Sequence, residues 1–230
     1  MSLYLWVNLL SISVPYLVSF HPRLKLYKDW GSLFIASFLA MTPYVIWDII
    51  FMQKAHWGFN DAYLMGVDIL GLPLEEWLFF VCIPYACVFT HYALLELYDK
   101  FVVSKKWTKR ISFFLLGLFS VVLVLNLDKA YTTVDMSFAL VVLLLAYKLN
   151  FKLLQRFLIT FLFMLIPFFI VNGVLTGTGI DGEIVWYNHA ENLNIRLLTI
   201  PIEDSVFAFS MLLLNLLFFE FFKFKVFKKD

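Results

Sequence analysis

Charge is scarce in this chain. Asp, Glu, Lys and Arg make up 15% of its 230 residues, against about 25% in an average soluble domain. With 62% of the residues hydrophobic, too little polar surface remains to coat a water-soluble globule, so the class is integral membrane protein. Cysteine is nearly missing. Cys82 and Cys87 fall in one apolar segment, which fits no metal-ligand spacing and implies no disulfide framework. His21, His56 and His189 likewise form no ligand pattern. There is no glycine-rich GxGxxG or Walker stretch, so no nucleotide or dinucleotide cofactor announces itself. A net charge of +1 provides no footprint for nucleic acid. What the chain has in excess is aromatic surface, 20% with 27 Phe, more than filling a bilayer requires.

Seven stretches approach the about 20 apolar residues that a spanning helix needs: 3–20, 32–52, 74–97, 111–127, 133–148, 156–175 and 200–222. The first has no basic n-region and no small-residue cleavage site, and reads as a retained helix. The loops after the first, third and fifth stretches, together with the tail, hold all but three of the 18 Lys and Arg. The exceptions are Lys54, Lys129 and Arg196. By the positive-inside rule the amino terminus lies outside and the carboxy terminus is cytoplasmic. The expected location is therefore a cell membrane of bacterial type, with membrane lipid as the surrounding partner.

Acidic residues open two of these helices. "GLPLEEWLFF" (71–80) has a counterpart in "TIPIEDSVFAF" (199–209), so that Pro73, Glu75 and Glu76 align with Pro201, Glu203 and Asp204 at a spacing of 128. Upstream, "TPYVIWD" (42–48) matches "IPFFIVN" (166–172), placing Asp48 over Asn172 at a spacing of 124. The expectation is an all-α membrane protein with two parallel three-helix repeats, residues 1–98 and 131–230, joined by a basic loop and a linking helix over 99–130. Both acidic motifs then begin helices at the outer face and can approach each other.

Proline suits a helix start, and carboxylates in the first turn are favoured by free N–H groups and the helix dipole, which alone explains a single acidic pair. Two pairs in register point further, to acid–base chemistry in an apolar pocket. Glu75 shares its helix face with Leu78, Phe79 and Cys82; Glu76 shares with Phe79, Phe80 and Ile83; Phe207 follows both acids of the second motif. A carboxyl beside aromatic faces can protonate a weak base such as a carbon–carbon double bond and hold the resulting cation. Asp48 and Asn172 are candidate partners that steady the acids or the substrate. Tyr44, Trp47, Trp77 and Tyr85 are candidate cation-facing aromatics. Asn60 and Asn188, in the outer loops, are explained equally well by turn chemistry.

The paired "PLEE" and "PIED" motifs, the Pro/aromatic/Asp helix before the first, and the three-plus-one-plus-three layout resemble the small membrane lycopene β-cyclases in their fused form. The resemblance implies a cofactor-independent isomerisation of a linear hydrophobic polyene, lycopene. An acid protonates the terminal double bond, the cation closes a six-membered ring, and a base removes a proton. It assigns the chemistry to Glu75, Glu76, Glu203 and Asp204, with Glu75 and Glu203 as the essential pair and the other two tuning or exchanging protons. Other carotenoid enzymes are the implied protein partners. A retinal photoreceptor is excluded by the lack of any Lys in 200–222. The remaining non-enzyme reading, a transporter or proton-translocating protein, is disfavoured by acids gathered at one face and by helices 1, 4 and 6, which carry no charge beyond Arg156 at the start of the sixth.

Overall fold

The computed structural model describes residues 2–98 and 100–223. The tail lysines Lys225, Lys228 and Lys229 lie outside the described residues. Among the described residues, seven α-helices make up most of the structure: α1 (Leu3–Val18), α2 (Trp30–Gln53), α3 (Leu74–Leu97), α4 (Lys105–Leu125), α5 (Ala130–Leu149), α6 (Phe151–Leu175) and α7 (Ile202–Phe221). Their apolar runs drive them into lipid, where backbone groups must be satisfied inside the helix. Six of them, α2 to α7, are long and apolar enough to cross a membrane. The 16 residues of α1 span about 24 Å, short of a hydrocarbon core about 30 Å thick. Rows of exposed Leu, Val, Ile and Phe, such as Leu10, Val14 and Leu17 on α1 and Phe113 and Phe114 on α4, face outward.

Helices enter and leave at two ends. The starts of α1, α3, α5 and α7 gather at one end, since Ser2 reaches Glu75 and Thr132 reaches Glu203. The ends of α2 and α6 join them there, since Asn172 reaches Asp204 and Asp48 lines the same cavity as Glu76. At the opposite end Lys223 pairs with Asp29 at 2.6 Å, and Asn150 donates to Glu220.

α7 is the central element. It packs on α2 and on α5 over much of their length. Leu33, Ala36, Ala40 and Tyr44 recur every three or four residues along α2, all fully buried. Small side chains allow close backbone approach, and polar groups bond across it. Tyr44 donates to Ser210 at 2.9 Å and Asn215 to Ser37 at 3.2 Å, tying α2 to α7. α1 lies against α3 in the same way that α5 lies against α7.

The loops at the acidic end contain strands that an all-helical reading does not anticipate. β1 (Trp57–Phe59), after α2, pairs antiparallel with β4 (Val185–Tyr187), after α6. Two hairpins, β2 (Asp68–Ile69) with β3 (Leu72–Pro73) and β5 (Arg196–Leu197) with β6 (Ile200–Pro201), lead straight into α3 and α7. The first turns through Leu70 and Gly71, both at positive φ, a geometry that glycine accepts without steric cost. Pro73 and Pro201 are the last strand residues, one place before the helix and not inside its first turn. Their extended backbone delivers the next three residues, both acids included, at the helix N-terminus.

Candidate active site

The two acids of each motif face different surroundings. Glu75, fully buried, accepts through Oε1 from Ser2 Oγ at 2.5 Å and from the Met65 amide at 2.7 Å. Asn8 donates to its backbone carbonyl at 2.8 Å. Glu203, equally buried, accepts through Oε1 from Thr132 Oγ1 at 2.8 Å and from the Leu193 amide at 2.7 Å. In both halves the first acid therefore fastens a loop amide and the start of a neighbouring helix. Such intramolecular hydrogen bonds are worth about 0.5–1.5 kcal/mol each.

The second acids turn inward, into a cavity of about 280 Å³ that both line. Glu76 accepts from Tyr4 Oη at 2.5 Å, and the Asp48 carboxyl lines the same cavity. Asp48 also accepts from the indole N–H of Trp57 at 2.6 Å. Asp204 is held by three neutral donors: Tyr131 Oη at 2.5 Å, Asn172 Nδ2 at 2.9 Å and Tyr187 Oη at 3.0 Å. Tyr187, in β4, lies within electrostatic reach of Glu76 and Asp48 as well as of Asp204. Withdrawal from water, and then the Asp204 carboxyl beside it, raise its phenol well above the ordinary tyrosine value. It therefore keeps its proton and acts as a donor at any physiological pH.

The rest of the cavity is apolar and aromatic. Its α3 wall runs from Glu76 to Thr90, about 21 Å of helix at about 1.5 Å per residue. Phe79, Phe80 and Ile83 on that wall oppose Phe207, Met211 and Leu212 on α7, with Pro167 and Phe168 of α6 alongside. β1 and β4 close the acidic end, contributing Trp57, Phe59, Val185 and Tyr187. The space suits one end of a long, thin, oily molecule, with carboxyl groups only at its tip.

Of the residues singled out from sequence, Glu76, Asp204, Asp48, Asn172, Phe79 and Phe207 meet at this cavity. Glu75 and Glu203 adjoin the site without lining it. Tyr44 and Trp47 stand behind Phe207, packed with Phe138 between α2, α5 and α7. Trp77 donates to the Ile69 carbonyl at 3.0 Å, bracing the hairpin before α3. Tyr85 bonds Ser19 and Trp30, away from the acids. Asn60 and Asn188 each accept from the amide two residues on, as turn residues do.

Sequence reasoning missed the phenols Tyr4, Tyr131 and Tyr187, and the indole of Trp57, because nothing in their local spacing marks them. It also passed over Asp135, fully buried within α5 and beside Glu203 and Asp204. That residue had a signal: a single acid inside an apolar segment.

Comparison with known proteins adds one finding. A family model described as lycopene cyclase matches residues 1–94 and 128–222. No curated protein and no solved structure matches the chain.

Proposed function

The chain belongs to the lycopene cyclase family, and from that premise we propose that it is a lycopene β-cyclase, closing β-ionone rings on the ψ ends of lycopene without net redox change. The observation that carries this reading is Glu76 and Asp204, from α3 and α7, lining one apolar aromatic cavity. A carboxylic acid there adds its proton to the terminal double bond. The tertiary cation is attacked by the neighbouring double bond, a carbon–carbon bond closes the six-membered ring, and the charge moves onto the ring. A carboxylate then takes an adjacent ring proton, leaving the ring double bond. One proton enters and one leaves, so substrate and product are isomers and the enzyme is an intramolecular lyase or isomerase. Aromatic faces such as Phe79, Phe80 and Phe207 attract the passing positive charge.

In this reading the working acids are the second of each pair, and Glu75 and Glu203 hold the loops and helix starts that aim them. The architecture proposed is seven membrane crossings, with α1–α3 and α5–α7 as parallel repeats and α4 linking them. The amino terminus and the acidic end lie outside. Support comes from the matching bonding of Glu75 and Glu203, from the two separate stretches matched by one family model, and from the basic loops at the opposite end.

The test is expression in a host that accumulates lycopene, followed by pigment chromatography. γ- and β-Carotene are the expected products. Unchanged lycopene beside abundant membrane-inserted protein overturns the reading.

A further inference from the structure

The two halves of the site are not chemically equal. Beside Glu76 stands a carboxyl, Asp48; at the equivalent place beside Asp204 stands an amide, Asn172. Both carboxyls are buried and line one apolar cavity, and Asp48 Oδ2 meets no hydrogen-bond donor among the described residues; two such groups side by side cannot both stay ionised, so they hold a proton between them. Every other neighbour of that pair is already a donor: Tyr4 to Glu76 and Trp57 to Asp48. The shared proton must therefore belong to the carboxyls themselves. Asp204 is in the reverse position. Tyr131, Asn172 and Tyr187 all donate to it, which occupies three of its about four acceptor sites, suits a carboxylate carrying no proton and leaves one site to receive one.

We propose that the Asp48–Glu76 pair is the general acid that protonates the polyene and that Asp204 is the base that takes the ring proton. This rests on the cyclase reading above and deepens it. In the first step the proton shared by Asp48 and Glu76 moves to the less substituted carbon of the terminal double bond, leaving the tertiary cation on the other carbon and both carboxyls ionised. In the last step Asp204 receives the ring proton and becomes neutral. The enzyme is reset between turnovers, when Asp204 gives up that proton and the first pair regains one, in exchange with solvent. Tyr187 is suited to take part in that exchange, since its hydroxyl donates to Asp204 and lies within electrostatic reach of Glu76 and Asp48.

The test uses membranes carrying the full chain, incubated with lycopene in D2O, with recovered pigments read by mass spectrometry. Wild-type protein is expected to place one solvent deuterium in each ring formed. Asp48→Asn and Glu76→Gln should lower ring formation by about 100-fold or more and return unlabelled lycopene, since protonation itself is lost. Asp204→Asn should lower ring formation comparably but return acyclic polyene carrying deuterium, because protonation continues and reverses. Labelled lycopene from Asp48→Asn, or unlabelled lycopene from Asp204→Asn, overturns the assignment. Asn172→Asp gives a second arm should Asp48→Asn not accumulate: a carboxyl partner for Asp204 should cut ring formation while exchange persists, and wild-type ring formation refutes the assignment. Label exchange without rings in the wild type would refute the cyclase reading and the role of Asp204, and leave only the Asp48–Glu76 pair standing as the general acid. Neither exchange nor rings refutes both.

Discussion

At the residue scale, adjacent acids in one short motif face different surroundings because a helix turns about 100° per residue. Glu75 looks toward the start of α1 and the Met65 amide; Glu76 looks into the cavity. The expected outcome of single substitutions follows from these directions. Glu75→Gln and Glu203→Gln keep an oxygen for the hydroxyl and amide that each now binds, so ring formation should fall less than about tenfold. Glu76→Gln and Asp204→Asn remove groups from the reacting space and should cost about 100-fold or more. Pigment yield per unit of membrane-inserted protein measures both. Equal loss in all four variants would remove the distinction. The carboxyl-bearing motifs were legible in the chain because Pro-x-acid-acid recurs at a fixed spacing. Which acid faces the cavity was not, because that depends on which helix packs against which side of α3 and α7.

At the scale of elements, Gly58 is the point of closest approach in the β1–β4 ribbon. It sits opposite Trp186, and a Cβ there would lie 2.4 Å from the indole ring. Gly58→Ala must therefore displace Trp186 or part the strands, at a cost of about 1–3 kcal/mol. A lower thermal midpoint in detergent, together with reduced ring formation, is the expected outcome; an unchanged midpoint would mean that the indole moves aside freely. The helices themselves were readable from hydropathy alone, and the observed α2, α3 and α6 fall within a few residues of the expected stretches. The ribbon was hidden because its strands are three residues each and come from loops more than a hundred residues apart. The same distance hides Tyr131 and Tyr187, whose relation to Asp204 exists only after α5 and the second loop have packed on α7.

At the scale of the molecule, each half of the chain supplies one side of a single cavity. Tyr4, Asp48 and Glu76 come from before the α3–α4 loop; Tyr131, Asn172, Tyr187 and Asp204 come from after it. The interface between the halves is built from packing of α2 and α3 on α7 and of α3 on α6. A chain cut after Tyr98 and co-expressed as two pieces should therefore reassemble and form rings, while neither piece does so alone. Co-purification of the pieces with pigment analysis checks this. Pieces that associate yet leave lycopene untouched would show that the α3–α4 connection positions the site.

The ribbon that closes the acidic end has one more consequence. A tertiary carbocation in contact with water is captured as an alcohol, and a site open to the aqueous face would release hydrated acyclic pigment in place of a ring. Trp57, Phe59, Val185 and Tyr187 stand between the cavity tip and that face. Loosening them should change what is made before it changes how fast, so that the first trace of a failing roof is a hydroxyl group on the product.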